Sequence, residues 1–275
     1  MPRLLIAGCG YVGLATAELF RGAGWEVVGW TKSARASEKS FVVRAVNIAD
    51  RGAVEAAAEN FDAVIDCASS GGGGAESYRE VYLEGARNLL AVLRAPRFIF
   101  TSSTSVYAQR DGEWVDEESV AEPAHETGKI LREAEELVRQ SGGTIARLAG
   151  IYGPGRSALL RKFLADEARI EGDGSRWLNH AHRDDIAAAL LRLATAAAGG
   201  IFNIADDEPI AQSDACAWLA AKLHRPLPPI ATEPATRKRG ASNKRVSNRK
   251  LRSLGWAPRF PNFAAGMERT VLPLA

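Results

Sequence analysis

Short apolar runs alternate with longer stretches of helical periodicity along most of the chain. Residues 3–7 (RLLIA) have the length and apolarity of a buried strand. Residues 14–21 follow, with Leu14, Ala17, Glu18 and Phe20 at helical spacing and Gly22 and Gly24 as stop signals. The same reasoning predicts strands at 26–30, 63–67, 97–102, 144–148 and 201–204. It predicts helices at 51–59 (with Asp50 as N-cap), 78–94, 127–140, 158–168, 184–197 and 212–223. Strands that alternate with helices imply a parallel sheet covered on both faces, a doubly wound α/β fold. Residues 1–155 are expected to form the core. Residues 156–275 are expected to complete it and to form a small irregular C-terminal lobe, since the last ~50 residues are richer in Pro and basic groups.

Composition fits this picture. An apolar content of 46% with 25% charged residues is globular rather than disordered. The net charge of +2 hides an asymmetry: residues 237–252 hold eight basic residues and no acid, and 27 basic against 33 acidic residues remain elsewhere. Positive charge confined to one strip argues against a protein that coats nucleic acid. Cys9, Cys67 and Cys216 are odd in number and far apart in sequence, which argues against a disulfide framework and predicts a reducing, cytoplasmic setting. No apolar run approaches the ~20 residues that span a bilayer, so no membrane partner is expected. The stretch up to Cys9 has the look of a lipoprotein cleavage site but is too short to hold the regions of a signal peptide.

The strongest chemical signal is Gly8-Cys9-Gly10-Tyr11-Val12-Gly13, between the first strand and the first helix. Gly8 permits a tight turn, Gly10 lets a pyrophosphate approach the backbone, and Gly13 lets the helix pack on the sheet. The helix N-terminus then offers N–H groups and a positive dipole end, the arrangement that binds a dinucleotide. The end of the second strand reads the cofactor's 2′ position. It carries Thr31, Lys32, Ser33 and Arg35 with no carboxylate, which favours NADP over NAD. Ala68 and the glycine run 71–74, past the third strand, are expected on the same cleft, because ligands bind at the carboxyl ends of such strands.

Four further segments sharpen this. Phe98-Ile99-Phe100-Thr101-Ser102-Ser103-Thr104-Ser105-Val106-Tyr107, the segment 147–155 (RLAGIYGPG), Arg183-Asp184-Asp185-Ile186 and the segment 202–209 (FNIADDEP) resemble the extended, atypical branch of the short-chain dehydrogenase/reductase superfamily, the NAD-dependent epimerases/dehydratases. The resemblance runs along almost the whole chain. It implies a Rossmann-type core with a small substrate lobe, oxidoreductase or isomerase chemistry with NADP or NAD, Ser103 as the active-site hydroxyl, Tyr152 beside the substrate, and a homodimer through helices 78–94 and 127–140. The family's Tyr-x-x-x-Lys signature falls on His125-Glu126-Thr127-Gly128-Lys129, with Lys129 kept beside the nicotinamide ribose and His125 in place of Tyr.

Three outcomes stay open at that position. His125 is the acid/base, since a nearby cation would keep its ring neutral. Tyr107 substitutes for the missing phenol. Or the site is silent and the protein is a dinucleotide-binding sensor. The basic strip likewise has alternatives: a solvated tail, a nucleic-acid patch, or a phosphate-binding wall of the substrate lobe using Arg237, Lys244 and Arg245. His180 and His182, near Asp184 and Asp185, read as alternation on an extended segment rather than a metal site, with Asp184 or Asp185 capping the next helix. Trp177 is placed at the border of the substrate. The expected activity is oxidoreductase or epimerase/dehydratase chemistry on a small anionic substrate, sugar-like and nucleotide-linked or phosphorylated.

Overall fold

Glu26–Thr31 (β2) runs parallel to Arg3–Ala7 (β1) with Ile6 opposite Gly29. Val42–Ala45 (β3) extends the sheet outward from β2, and Ala63–Asp66 (β4) lies on the other side of β1. Phe98–Ser103 (β5) follows β4. The short strand Trp114–Val115 (β6) lies apart, and Thr144–Leu148 (β7) returns to the sheet beside β5. Gly150–Tyr152 (β8), Trp177–Leu178 (β9) and His180–His182 (β10) are short and sit beyond the sheet's carboxyl edge. Gly200–Ile204 (β11) closes the sheet on β7, while Ile210–Ala211 (β12) pairs with β9 and Arg245–Val246 (β13) with β6. The main sheet is ordered β11-β7-β5-β4-β1-β2-β3, and every pairing in it is parallel. The strand order runs outward in opposite directions from β1 and β4, the switch point at which doubly wound folds hold their ligand. The protein is Rossmann-type.

This computed structural model describes residues 1–33, 41–232 and 242–274. Arg35, Arg237, Lys238 and Arg239 lie outside the described residues.

The helices are Tyr11–Gly22 (α1), Arg51–Ala56 (α2), Ala75–Tyr78 (α3), Gly85–Val92 (α4), Glu126–Gln140 (α5), Ala158–Leu164 (α6), Arg183–Ala196 (α7), Gln212–Leu223 (α8), Arg249–Ser253 (α9) and Phe263–Gly266 (α10). α3 and α4 form one rod, joined by a π-helical stretch, Arg79–Glu84, so the predicted helix begins three residues earlier than its apolar pattern suggested. α1 starts directly at the glycine turn rather than at Leu14, because Gly10 is its N-cap and the Leu14 N–H donates to the Gly10 carbonyl at 2.8 Å. Asp50 caps α2 as expected, accepting from the Ala53 N–H. The cap of α7 is neither Asp184 nor Asp185. It is His182, whose Nδ1 accepts from the Asp184 N–H at 3.2 Å, while Asp185 accepts from the Arg259 and Phe260 N–H groups and pins the C-terminal segment. The predicted helix at 158–168 ends at Leu164, before Asp166 at φ 56°.

The main core fills both sides of the sheet, with Leu4, Leu5, Ile6, Ile65 and Phe100 all but inaccessible. A second apolar cluster, made of Tyr152, Leu160, Phe163, Cys216, Leu219, Phe263 and Met267, lies beyond the carboxyl edge. The cleft runs between the two.

Candidate functional site

The cleft begins at the glycine turn. The Gly8 and Cys9 N–H groups both donate to the Trp30 carbonyl, at 3.0 and 2.8 Å, which ties the turn to the end of β2. Gly8 has φ +84°, and a side chain there would meet the Ala68 backbone at 2.3 Å. Gly10 is different. A Cβ added at Gly10 meets nothing closer than the Gly8 carbonyl at 4.0 Å, so it would project into the open cradle at the N-terminus of α1. That open cradle fits a pyrophosphate. Gly8, Gly10, Tyr11, Val12, Thr31, Lys32, Ser33 and Ala68 all line the cleft, and Gly13 packs behind it against the Gly8 carbonyl. Tyr11 donates its hydroxyl to the Pro154 carbonyl at 3.0 Å, with the guanidinium groups of Arg156 and Arg183 over its ring. It thereby joins the glycine turn to the loop after β8.

At the 2′ end, Thr31 Oγ1 donates to the Ser33 carbonyl, and the exposed Lys32 ammonium lies 3.5 Å from Glu80. A carboxylate is therefore present nearby, though on the π-helical stretch rather than at the end of β2.

Ser103 stands at the end of β5, lines the cleft, and accepts the Ser105 N–H at 3.2 Å. His125 and Lys129 are not brought to it. Both are exposed, and neither lines the cleft. Lys129 falls on the solvent-facing stripe of α5 with Glu126 and Glu133, which flank Arg79. The α5 residue that does line the cleft is Leu131. Two residues of helix turn the direction by about 200°, so Lys129 points away from Leu131, and the position one turn before Leu131 on its own stripe is Thr127. The cleft face of α5 thus carries neither the phenol nor the ammonium of the Tyr-x-x-x-Lys signature. The expectation for His125 and Lys129 placed the motif two residues early on a helix whose orientation is set by its buried face, Ile130, Leu131, Ala134, Glu135 and Val138.

Tyr107 is also removed from the chemistry. Its hydroxyl accepts from Arg147 Nη1 at 2.8 Å and donates to Asn203 Oδ1 at 3.0 Å, with the side chain buried in the main core. Arg147 in turn grips Glu135 with two bonds of 2.9 and 2.7 Å, and Ser102 donates to the same carboxylate at 2.6 Å. This network joins β5, β7, β11 and α5. Its members satisfy each other, so it acts as a structural lock.

At the far end, Arg156, Lys162, Arg169, Arg176, Trp177, His180 and Lys244 line the second half of the cleft. Lys244 is 6% exposed, and its ammonium donates to Ser242 Oγ at 2.8 Å. Burial, reinforced by Arg176, pushes its pKa down to about 8. Tyr152 lines the same region but is 2% exposed, with burial holding its phenol above the ordinary range. Its hydroxyl lies 3.3 Å from the Asn262 carbonyl. Arg245 does not reach the cleft. Its guanidinium is stacked between Trp114 and Trp177 at 5.2 and 5.1 Å, and its Nε donates to the Gly112 carbonyl. Elsewhere on the basic strip, Lys250 lies over Phe202 and Arg252 pairs with Asp207. Strand alternation in β13 and the turn of α9 scatter these cations, so of the strip's described cations only Lys244 lines the cleft.

Sequence reasoning missed Arg176 as a cleft cation and treated His180 as a spacing effect. Both belong to a segment that crosses the cleft through strands of two or three residues, too short to carry a periodic signal. Among the described residues no group of three or more His, Cys, Asp or Glu is arranged to hold a metal, and no helix is long and apolar enough to cross a membrane.

A family model described as the NAD dependent epimerase/dehydratase family matches residues 4–205. Protein YeeZ of Escherichia coli K12 is 31% identical over 218 residues, 74% of this chain and 77% of that protein. A solved structure from Methylobacillus flagellatus, described as an NAD-dependent epimerase/dehydratase, superposes with TM-score 0.81 at 29% identity, covering 97% of this chain and 96% of that one. At lower identity the fold is shared with MoeE5 in complex with UDP-glucuronic acid and NAD (20% identity, TM-score 0.82, 99% and 98% covered). It is also shared with the human epimerase family protein SDR39U1 with NADPH (18% identity, TM-score 0.79, 97% and 98% covered).

Proposed function

Because the chain belongs to the NAD-dependent epimerase/dehydratase family, we propose that it is a nicotinamide-dependent oxidoreductase or epimerase/dehydratase-type enzyme acting on a nucleotide-linked or phosphorylated sugar-like substrate. One observation carries this. A single cleft of about 1280 Å³ joins the glycine turn to Arg176 and the buried Lys244, room for a dinucleotide and a second anionic ligand end to end. A buried ammonium whose pKa is depressed gains most from a ligand that brings negative charge, and phosphate supplies that charge with acceptor oxygens.

The glycine turn and the N-terminus of α1 hold the pyrophosphate, Ala68 backs the turn, and Thr31, Lys32 and Ser33 hold the 2′ end. Lys32 favours a 2′-phosphate and hence NADP. The nicotinamide, when bound, supplies the hydride acceptor or donor. Ser103, at the carboxyl end of β5, donates a hydrogen bond to the reacting oxygen. Lys244 and Arg176 orient the anionic end of the substrate.

Titration of the full chain with NADPH, followed by fluorescence, and then turnover assays on UDP-glucose, UDP-glucuronic acid and simple sugar phosphates test the reading. Binding of NADPH together with at least one panel member, and turnover of it, is expected. A protein that binds neither nicotinamide nucleotide would sink the proposal.

A second reading, a dinucleotide-binding protein without turnover, is favoured by Leu131, the α5 residue that lines the cleft, which has no group to move a proton. Tight binding of NADPH with no chemistry on any sugar nucleotide is its expected signature.

A further inference from the structure

The loss of the phenol and ammonium from α5 removes the family's proton-transfer pair, yet the cleft holds an imidazole of its own. β10 runs parallel to β8, with His180 opposite Gly150. Gly150 lies two residues past Leu148, which is itself opposite Ser103 in the β5–β7 pairing. Strands lie ~4.8 Å apart and residues advance ~3.3 Å, so Ser103 and His180 are offset by about two strand spacings across the edge and two residues along it, both lining the cleft.

Gly150 is set by the backbone of the pairing rather than by the ring: a Cβ added there would meet the Asn179 carbonyl at 2.9 Å, while lying at ordinary contact distance, 3.9 Å, from His180 Cδ2. The imidazole is fixed on two sides. It is stacked on Phe263 at 4.7 Å and 31°, and Tyr152 meets it edge-on at 5.6 Å. Its Nδ1 is buried and has no hydrogen-bond partner among the described residues.

The neighbouring His182 is in the opposite condition. Its Nδ1 accepts from the Asp184 N–H, so its Nε2 carries the proton and donates to Thr270 Oγ1 at 2.9 Å. Both nitrogens of His182 are used in structure, whereas His180 holds a buried polar atom unsatisfied. Leaving a buried polar atom without a partner is costly, and sites that bind or transform a ligand are where such costs persist.

The groups facing the ring are Arg176 from the segment before β9, Tyr152 from β8 and Phe263 from α10, while His182 packs against the same Tyr152 ring. Burial, with Arg176 second, pushes the His180 pKa down to about 4, so the ring is neutral and keeps a lone pair across the physiological range.

We propose that His180 is the proton-handling residue of this cleft, standing in for the absent tyrosine. This rests on the enzyme reading above. In the oxidative direction, a bound oxidised nicotinamide would accept the carbinol C–H electron pair as hydride. The hydroxyl proton passes to the His180 imidazole, and the carbon–oxygen double bond forms. The imidazolium then releases its proton to water, and the reverse direction runs the same transfers backward. Ser103 holds the oxygen while its proton moves.

The experiment records imidazole nitrogen resonances of the full chain, which has four histidines, His125, His180, His182 and His224. His180→Gln assigns the resonance. NADP⁺ and then UDP-glucose are added to saturation. The His180 resonance is expected to move on addition of UDP-glucose, while those of His125 and His224 stay in place. For any sugar nucleotide the wild type turns over, H180Q is expected to lose roughly 10²–10⁴-fold in kcat, with KM changed less than threefold and NADP⁺ affinity unchanged. If both ligands bind and the His180 resonance stays put, or if H180Q keeps its kcat, the proposal is overturned while the enzyme reading stands. If neither ligand binds, the enzyme reading falls and takes this one with it.

Discussion

Tyr107 and Arg147 are bonded to each other, hydroxyl to guanidinium at 2.8 Å, with both side chains buried in the main core. Through Glu135, this pair decides which way α5 faces. The Arg147–Glu135 bridge pins one face of the helix to β7, and Leu131, one turn earlier on that face, is carried to the cleft.

Tyr107→Phe is accordingly a stability variant. It leaves Arg147 and Asn203 each short of a partner, at a cost of about 1–3 kcal/mol. A lower urea midpoint with unchanged NADPH affinity is expected. A large loss of affinity with no loss of stability would contradict the structural role.

His125→Ala and Lys129→Ala change exposed side chains outside the cleft. Each is expected to alter stability by no more than about 0.5 kcal/mol and to leave NADPH binding and any turnover intact. A tenfold fall in either for Lys129→Ala would return that lysine to the ribose.

Two glycines of one motif should fail in different ways. Gly10→Ala is expected to fold like the wild type and to lose dinucleotide affinity at least tenfold, because its Cβ enters open cradle. Gly8→Ala meets the Ala68 backbone at 2.3 Å from a positive φ, so it should be destabilised by about 1–3 kcal/mol or more. Calorimetry paired with ligand titration separates the two.

Lys32→Ala tests the cofactor. A charge-assisted hydrogen bond to a 2′-phosphate is worth about 1.5–3 kcal/mol, so NADPH binding should weaken roughly tenfold or more while NADH binding is unmoved. Equal effects on both would rule out the 2′-phosphate contact.

Lys244 predicts a pH dependence. Its folded pKa is depressed to about 8 by burial, from an ordinary value near 10.5. The cation is present below pH 8 and lost above it, so affinity for a phosphate-bearing ligand should fall as pH rises through that value. The sign for stability is opposite. Between about pH 8 and 10.5 the unfolded chain binds the extra proton, so this group makes folding more favourable as pH rises across that window. Lys244→Met should flatten both trends.

Much of this protein was legible in its residues. The first strand, the glycine turn and the first helix follow one another within 22 positions, and local chemistry decides them: apolar strand, positive-φ glycine, exposed helix N-terminus. The alternation that predicted the doubly wound sheet is equally local, since each strand and helix declares itself by its own period. β3 was missed because exposed Val42 and Ala45 flank the half-buried Val43 and Arg44 and make no buried run, and β6, β8, β9, β10, β12 and β13 because two or three residues have no period to read.

The orientation of each functional side chain needed the tertiary structure. A helix turns by 100° per residue, so a motif displaced by two positions moves from the cleft to the solvent. The choice between those faces was made by the buried Arg147–Glu135 pair on the sheet. Cations adjacent in sequence were likewise separated by their folded partners, Lys244 to the cleft and Arg245 to two tryptophans. His180 became a candidate only when β10 was laid beside β8, because that pairing brings to the cleft a ring whose Nδ1 is left without a partner among the described residues.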